Sequence, residues 1–377
     1  MPSTAAAKTA PDRTIKVMVV DDSAVIRGLL QRILATDPSI EVVASASNGQ
    51  AAIQMLRKHD IQVAILDIEM PVMDGLSALP QLLEIDPDLK VIVASTLTQR
   101  NAEISMKALD LGATDYLPKP TSPREINADG SFHRELLGKI HSLANRPRLR
   151  PRRLVPVSAP SPHAPAPRPT LAKRPVVLRK APTAMAGALA IGSSTGGPQA
   201  LFTLLRSLPK TLTVPVFITQ HMPKLFTAIL AQHITRNCGQ VCNEGVDGES
   251  VEAGRIYLAP GDRHMLIEPK GGRMVVRLTD DPPENFCRPS VDPMLRSLSA
   301  LYGPKLLGVI LTGMGSDGLA GARQLTAAGG HLIAQDEASS VVWGMPGAVA
   351  MAGLCSAVLP LPELAPYIGH LLPRVAP

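Results

Sequence analysis

Ala188-Leu189-Ala190-Ile191-Gly192-Ser193-Ser194-Thr195-Gly196-Gly197-Pro198 reads as a short apolar strand, a glycine turn and the start of a helix. Leu201, Leu204, Leu205 and Leu208 follow at helical spacing. Pro198 suits the first helical turn, where a missing N–H costs nothing. Ser194 is the centre of a G-x-S-x-G pattern, in which glycines let the chain turn sharply and expose a hydroxyl above the sheet. The helix N-terminus adds N–H groups able to hold a developing oxyanion. Taken alone, such a turn binds phosphate more often than it carries a nucleophile.

Two further strands alter that balance. Residues 214–219 are apolar and end at Gln220-His221, and residues 307–311 end in Thr312-Gly313-Met314-Gly315-Ser316-Asp317-Gly318. Ser194, His221 and Asp317 each stand just beyond a strand's carboxyl end, where open α/β sheets gather their ligand groups. Their chain order differs from that of common α/β-hydrolases, so the fitting frame is convergent triad geometry. His264 and His331 are expected to be structural or surface groups, and His59, His133 and His141 belong to the other half of the chain.

Moving toward the N-terminus, residues 146–183 hold ten of the 36 prolines and ten of the 38 Lys and Arg, with no Asp or Glu. Such a stretch buries little apolar area and reads as an extended spacer. It also explains the net charge of +6 over 377 residues, because the remainder carries 28 basic against 32 acidic residues. The expected organisation is a first domain over 14–145, a linker over 146–186 and a second domain over 187–373.

Residues 16–145 alternate strand and helix signals, which predicts a parallel sheet with helices on both faces. Residues 16–20 lead into Asp21-Asp22-Ser23, and Val25, Ile26, Leu29, Leu30, Ile33 and Leu34 then recur at helical spacing. Strand signals over 41–44, 63–66 and 91–94, and at Tyr116-Leu117, alternate with a helix over 51–58. Asp21, Asp22, Asp67, Ser95 and Lys119 fall at the ends of these strands. Three carboxylates in one crevice repel unless a cation joins them, and oxygen-only ligands suit Mg²⁺. With an ammonium and a hydroxyl nearby, the set fits phosphoryl transfer. The bland alternative is that Asp22 or Ser23 simply caps a helix.

Asp21-Asp22-Ser23, Asp67 with Met70-Pro71-Val72-Met73-Asp74-Gly75, Ser95 and Lys119-Pro120 resemble the receiver domain of response regulators. The resemblance implies Asp67 as phosphoacceptor, Mg²⁺ held by Asp21, Asp22, Asp67 and the backbone carbonyl of Glu69, Ser95 as switch hydroxyl and Lys119 as phosphate partner. A cis Lys119-Pro120 bond goes with it. Tyr116 stands where such domains often carry an aromatic switch, and a plain core tyrosine fits equally.

The second half, from Ile191-Gly192-Ser193-Ser194-Thr195-Gly196-Gly197-Pro198 through Gln220-His221-Met222-Pro223, Arg288-Pro289-Ser290-Val291-Asp292, residues 312–318 and residues 335–340, resembles the chemotaxis protein-glutamate methylesterase/protein-glutamine deamidase family. That resemblance implies a flavodoxin-like receiver followed by a doubly wound α/β esterase with a mostly parallel sheet. It implies a Ser194–His221–Asp317 triad with Thr195 and Met314 lining the site, and no cofactor for the ester reaction. It also implies receptor methyl esters and glutamines as substrates and a chemotaxis histidine kinase as phosphodonor. Ser193 stands where the family usually has Ala.

Other function classes fare worse. Aromatic residues make up 3% of the chain, too few for a nucleic-acid stacking platform, and no DNA-reading helix or Cys/His module is evident. A phosphate-binding module on the Gly192 turn would lack the P-loop Lys and leave His221 and Asp317 unexplained. A non-catalytic phosphate sink would leave the triad idle. Cys238 and Cys242 lack a second ligand pair at zinc spacing, so the four cysteines, with Cys287 and Cys355, are expected to be buried or idle thiols. Residues 1–14 carry no signal-peptide core and no apolar run approaches a membrane span, so a cytoplasmic location is expected.

Overall fold

The computed structural model describes residues 14–96, 98–119, 131–144, 176–180 and 184–373. In the first unit β1 (Ile15–Val20) pairs in parallel with β2 (Ile40–Ala46) and β3 (Val63–Asp67). β4 (Lys90–Ser95) and β5 (Asp115–Pro118) extend the sheet to the order β2-β1-β3-β4-β5. This is the flavodoxin-like order, with its ligand crevice at the β1/β3 switch point. β3 is buried along its whole length, as expected of a parallel strand covered on both faces.

Helices α1 (Ala24–Leu34), α2 (Gly49–Lys58), α3 (Gly75–Ile85) and α4 (Gln99–Asp110) alternate with these strands, and α5 (Ser131–Ala144) follows β5. Each of α1–α4 begins under a polar cap: Ser23, Asn48, Asp74 and Thr98 accept the N–H three residues on. In α1, Leu30, Ile33 and Leu34 face the core, whereas Val25 is 76% exposed and lies off the apolar stripe.

The second unit is a seven-stranded sheet in the order β14-β13-β12-β6-β7-β9-β8, every pair parallel. Its strands are β6 (Ala188–Ser193), β7 (Val216–Gln220), β8 (Cys242–Glu244), β9 (Ile256–Leu258), β12 (Leu306–Ile310), β13 (His331–Gln335) and β14 (Ala357–Leu359). An antiparallel hairpin, β10 (His264–Lys270) and β11 (Arg273–Thr279), stands outside the sheet. The helices are α6 (Gly197–Ser207), α7 (Lys224–Cys238), α8 (Val291–Tyr302), α9 (Leu319–Ala327), α10 (Met345–Met351) and α11 (Leu361–Leu371). From β6 the chain winds one way through β7 and then returns to β12 on the other side. The switch point therefore lies between β6 and β12, the position at which doubly wound sheets place their sites.

Of the expected linker, residues 176–180 and 184–186 are described. Val176 packs on the core of the second unit, Arg179 N–H donates to Cys355 O at 2.8 Å, and Ala186 N–H to Leu371 O at 2.8 Å. One apolar cluster runs from the first unit into the second, joining Ala102, Met106, Leu109 and Tyr116 with Phe202, Phe226 and Ile229.

Candidate active site

β6 ends at Ser193, and the turn to α6 passes through Gly196, whose φ of 73° a side chain rarely tolerates. Ser194 N–H donates to Thr312 O at 3.0 Å, which ties this turn to the end of β12. A Cβ on Gly313 would lie 2.9 Å from Ser194 Cβ, so glycine is what lets the two strand ends approach. Ser193 is fully buried and its hydroxyl donates to Gln220 Oε1 at 2.6 Å. Gln220 Nε2 in turn donates to Ser194 O at 2.9 Å. Of the two adjacent hydroxyls, Ser193 belongs to the framework, and Ser194 is the partly exposed one.

β7 delivers His221, whose N–H donates to Ser193 O at 3.1 Å, and its Nε2 lies 2.7 Å from Asp317 Oδ2. Asp317 follows β12 and is buried under a ring of donors. Ser290 Oγ, Asn285 Nδ2, and the N–H groups of Val291, Asp292 and Gly318 all reach it at 2.7 to 3.2 Å. Burial would push Asp317 up, but the His221 imidazole, Val291 N–H and Ser290 hydroxyl hold its carboxyl well below the ordinary range. For His221, burial opposes the charge, while the Cys287 sulfur and Asp317 raise the ring. Burial raises the neighbouring Asp292 carboxyl, even though Gly321 N–H and Asn285 donate to it.

Nδ1 of His221, the nitrogen not facing Asp317, has Cys287 Sγ at 3.4 Å. Among the described residues no hydrogen bond joins Ser194 Oγ to His221. Thr195 is buried, its carbonyl accepting from Thr312 Oγ1 at 2.9 Å. Met314 is drawn toward α5 of the first unit, where a Cβ on Gly138 would lie 3.1 Å from its sulfur.

The second constellation lies at the strand ends of the first unit. Asp21, Asp22 and Asp67 present oxygens all within 4.8 Å of one another. Lys119 Nζ lies 2.7 Å from both Asp21 Oδ2 and Asp67 Oδ1. An oxygen-only set of this kind fits a hard divalent cation. Burial pushes Asp67 up against the opposing pull of Lys119. Ser95 Oγ is paired with Ser105 Oγ at 2.8 Å, and Ser95 O accepts from Lys119 N–H at 2.7 Å. Glu69 lies exposed in the loop after β3. Pro120, and with it the expected cis bond, lies outside the described residues.

The two constellations belong to surfaces that meet. Tyr116 is 3% exposed and its ring stacks on Phe226 of α7, with centroids 4.6 Å apart. Lys139 Nζ fixes that strand, donating to Asp115 Oδ2 at 2.7 Å and Tyr116 O at 2.9 Å. Asp110 at the end of α4 pairs with His233 at 3.1 Å and Arg206 at 3.9 Å. Gln199 of α6 donates to Ala113 O. The α4–β5–α5 face of the first unit therefore sits against α6 and α7 of the second.

Comparison with known proteins assigns both units. A family model for the CheB methylesterase matches residues 189–368, and one for the response regulator receiver domain matches residues 17–129. The protein-glutamate methylesterase/protein-glutamine glutaminase of Azospirillum brasilense is 56% identical over 96% of this chain and 94% of its own. The chain belongs to this methylesterase family. Another member, protein-glutamate methylesterase/protein-glutamine glutaminase 1 of Paramagnetospirillum magneticum, is 55% identical over 96% of this chain and 97% of its own. The catalytic domain of the Thermotoga maritima CheB methylesterase is 37% identical, over 50% of this chain and 99% of that one, with a TM-score of 0.49.

Gln220, Ser290 and Asp292 lie in the motifs quoted above without a role attached to them, and Asn285 lies outside those motifs; together they hold Ser194 and Asp317 in place. Three cysteines are buried as expected. Cys287 departs from that expectation: it is partly exposed and lies on His221.

Proposed function

We propose that this chain is a phosphorylation-activated hydrolase of chemotaxis signalling that removes methyl esters from receptor glutamates and deamidates receptor glutamines. The observation that carries it is the convergence of Ser194, His221 and Asp317 at the β6/β12 switch point under a receiver. Ser194 Oγ attacks the side-chain ester carbonyl while His221 takes its proton. Asp317 fixes the ring through Nε2, so Nδ1 is the nitrogen that receives this proton. Ser194 N–H is committed to Thr312 O and Gly197 N–H to Ser194 O, so neither is the donor that meets the developing oxyanion. The imidazolium then protonates departing methanol, and water hydrolyses the acyl-enzyme. A glutamine presents the same acyl group with ammonia leaving.

In the receiver, Asp67 is the phosphoacceptor, Lys119 pairs the phosphoryl oxygens and Ser95 is the switch hydroxyl. Asp21, Asp22 and Asp67, with the Glu69 carbonyl, would hold Mg²⁺, which when bound neutralises the carboxylates and the incoming phosphoryl charge. Thr195 and Met314 line the esterase crevice, and the packing of Met314 against α5 supports a receiver that covers it. A chemotaxis histidine kinase is the phosphodonor, and methyl-accepting receptors are the substrate. No helix among the described residues is long and apolar enough to cross a membrane, and the proposed setting is the cytoplasm.

The test is methanol release from membranes carrying methylated receptors, with and without acetyl phosphate. The wild-type rate is expected to rise by about 5- to 150-fold, the usual range of an allosteric coupling. Asp67→Asn should show no rise. Equal stimulation of both would reject the regulatory assignment. Receiver docking makes a separate prediction: Asp110→Lys places a cation against Arg206 and His233. Each kcal/mol lost from docking changes the uncovered fraction about 5-fold. The unstimulated rate of Asp110→Lys should therefore rise several-fold, and a rate at the wild-type level would place the covering contacts elsewhere.

A further inference from the structure

Residues 284–287 form a tight turn closed by reciprocal backbone bonds between Glu284 and Cys287, with Asn285 at φ 52° and Phe286 at φ 63°. Non-glycine residues persist in that region only where surrounding contacts over-determine them. Here the contacts fall on the triad. Asn285 Nδ2 donates to Asp317 Oδ1 at 2.9 Å, and two residues later Cys287 Sγ lies 3.4 Å from His221 Nδ1. Glu284 is anchored by a two-pronged pair with Arg296 of α8.

Both ring nitrogens of His221 are therefore engaged, Nε2 by Asp317 and Nδ1 by sulfur. Whichever of sulfur and nitrogen carries the shared proton, Nδ1 has no lone pair to offer Ser194. At the tip of the turn Phe286 is 90% exposed, and Arg134 of the receiver helix α5 lies over its ring, 5.5 Å from the centroid. One short segment thus touches the base, the acid that orients it and the regulatory domain.

We propose that Cys287 is a positioning residue of the esterase, occupying the base nitrogen of His221 while the receiver is docked, and that Phe286 links its placement to α5. The inference rests on the assignment of Ser194, His221 and Asp317 as the triad. Catalysis then requires the turn to shift so that the sulfur yields Nδ1 to the Ser194 hydroxyl. Release of α5 removes the Arg134 contact that holds the tip.

The experiment uses the full, unphosphorylated chain and compares wild type, Cys287→Ala and Cys287→Ser. In methanol release at saturating receptor, Cys287→Ala should raise kcat by about fivefold or more, the scale of one lost hydrogen bond. KM should stay at its wild-type value, and the gain from acetyl phosphate should shrink by the same factor. Cys287→Ser keeps a hydrogen-bonding atom in place and should restore the low kcat. A ring ¹⁵N spectrum of His221, recorded in a Ser194→Ala background where no turnover occurs, should show Nδ1 moving on Cys287→Ala. An unchanged or lower kcat in Cys287→Ala, or an unmoved Nδ1 resonance, overturns the proposal. Retained activity in Ser194→Ala alone would instead overturn the triad, and the spectrum would still report whether sulfur engages the ring.

Discussion

Ser194→Ala is expected to lower kcat for methanol release by about 10⁶-fold, the scale seen when a triad serine is removed. The loss is large because covalent catalysis ends: no acyl-enzyme forms, and His221 is left with only water to activate. What remains is the binding of the ester in the crevice beside His221. Folding should be unaffected, since among the described residues Ser194 Oγ makes no hydrogen bond whose loss would strand a partner. Ser193→Ala provides the matched comparison. Its hydroxyl donates to Gln220 Oε1 in a fully buried setting, so that variant should lose about 1–3 kcal/mol of stability and keep most of its turnover. The reverse pattern, activity lost in Ser193→Ala and kept in Ser194→Ala, would transfer the nucleophile to the neighbouring residue.

Asp317→Asn is expected to lower kcat by about 10⁴-fold, as the corresponding change does in other triads. The physical reason is a conflict of donors. Asp317 accepts from Ser290, Val291, Asp292, Gly318, Asn285 and His221, and a carboxylate satisfies such a set because both oxygens only accept. An amide must turn one NH₂ toward an existing donor. In place of Oδ2 it faces His221 and the Val291 N–H, so the ring must offer a lone pair at Nε2 and carry its proton at Nδ1, the wrong tautomer for a base. In place of Oδ1 it faces the Asp292 and Gly318 N–H groups, which are stranded. Either arrangement strands a buried N–H, so the urea midpoint should fall as well. A kcat within tenfold of wild type would show that Asp317 is a structural carboxylate.

The first sheet and β6, β7 and β12 of the second were legible because parallel strands buried on both faces write themselves as apolar runs, whereas β8, β9, β13 and β14 gave no reading. The seven-residue hairpin strands β10 and β11 were missed, although Gly271-Gly272 between them is a turn signal. The proposed triad was readable as three strand ends. Its supports were not. Asn285, Ser290 and Asp292 reach Asp317 from 25 to 32 residues away, and no local periodicity encodes where a helix N-terminus will point. Cys287 carried no zinc or disulfide spacing, so a cysteine's usual sequence signals were silent. The docking face is mute for a related reason: Tyr116 and Phe226 are each ordinary apolar positions on their own elements, and only their stacking gives them an interdomain meaning.

The order of parts along the chain has a further consequence during synthesis. All five receiver strands precede Ser194, and Asp317 emerges last of the triad, with β13 and β14 still to come. Domains fold as they leave the ribosome, N-terminal first. The α4–β5–α5 face is therefore available before β6, β7 and β12 have assembled the crevice it will rest on. A newborn molecule thus carries its docking face before Ser194, His221 and Asp317 can meet.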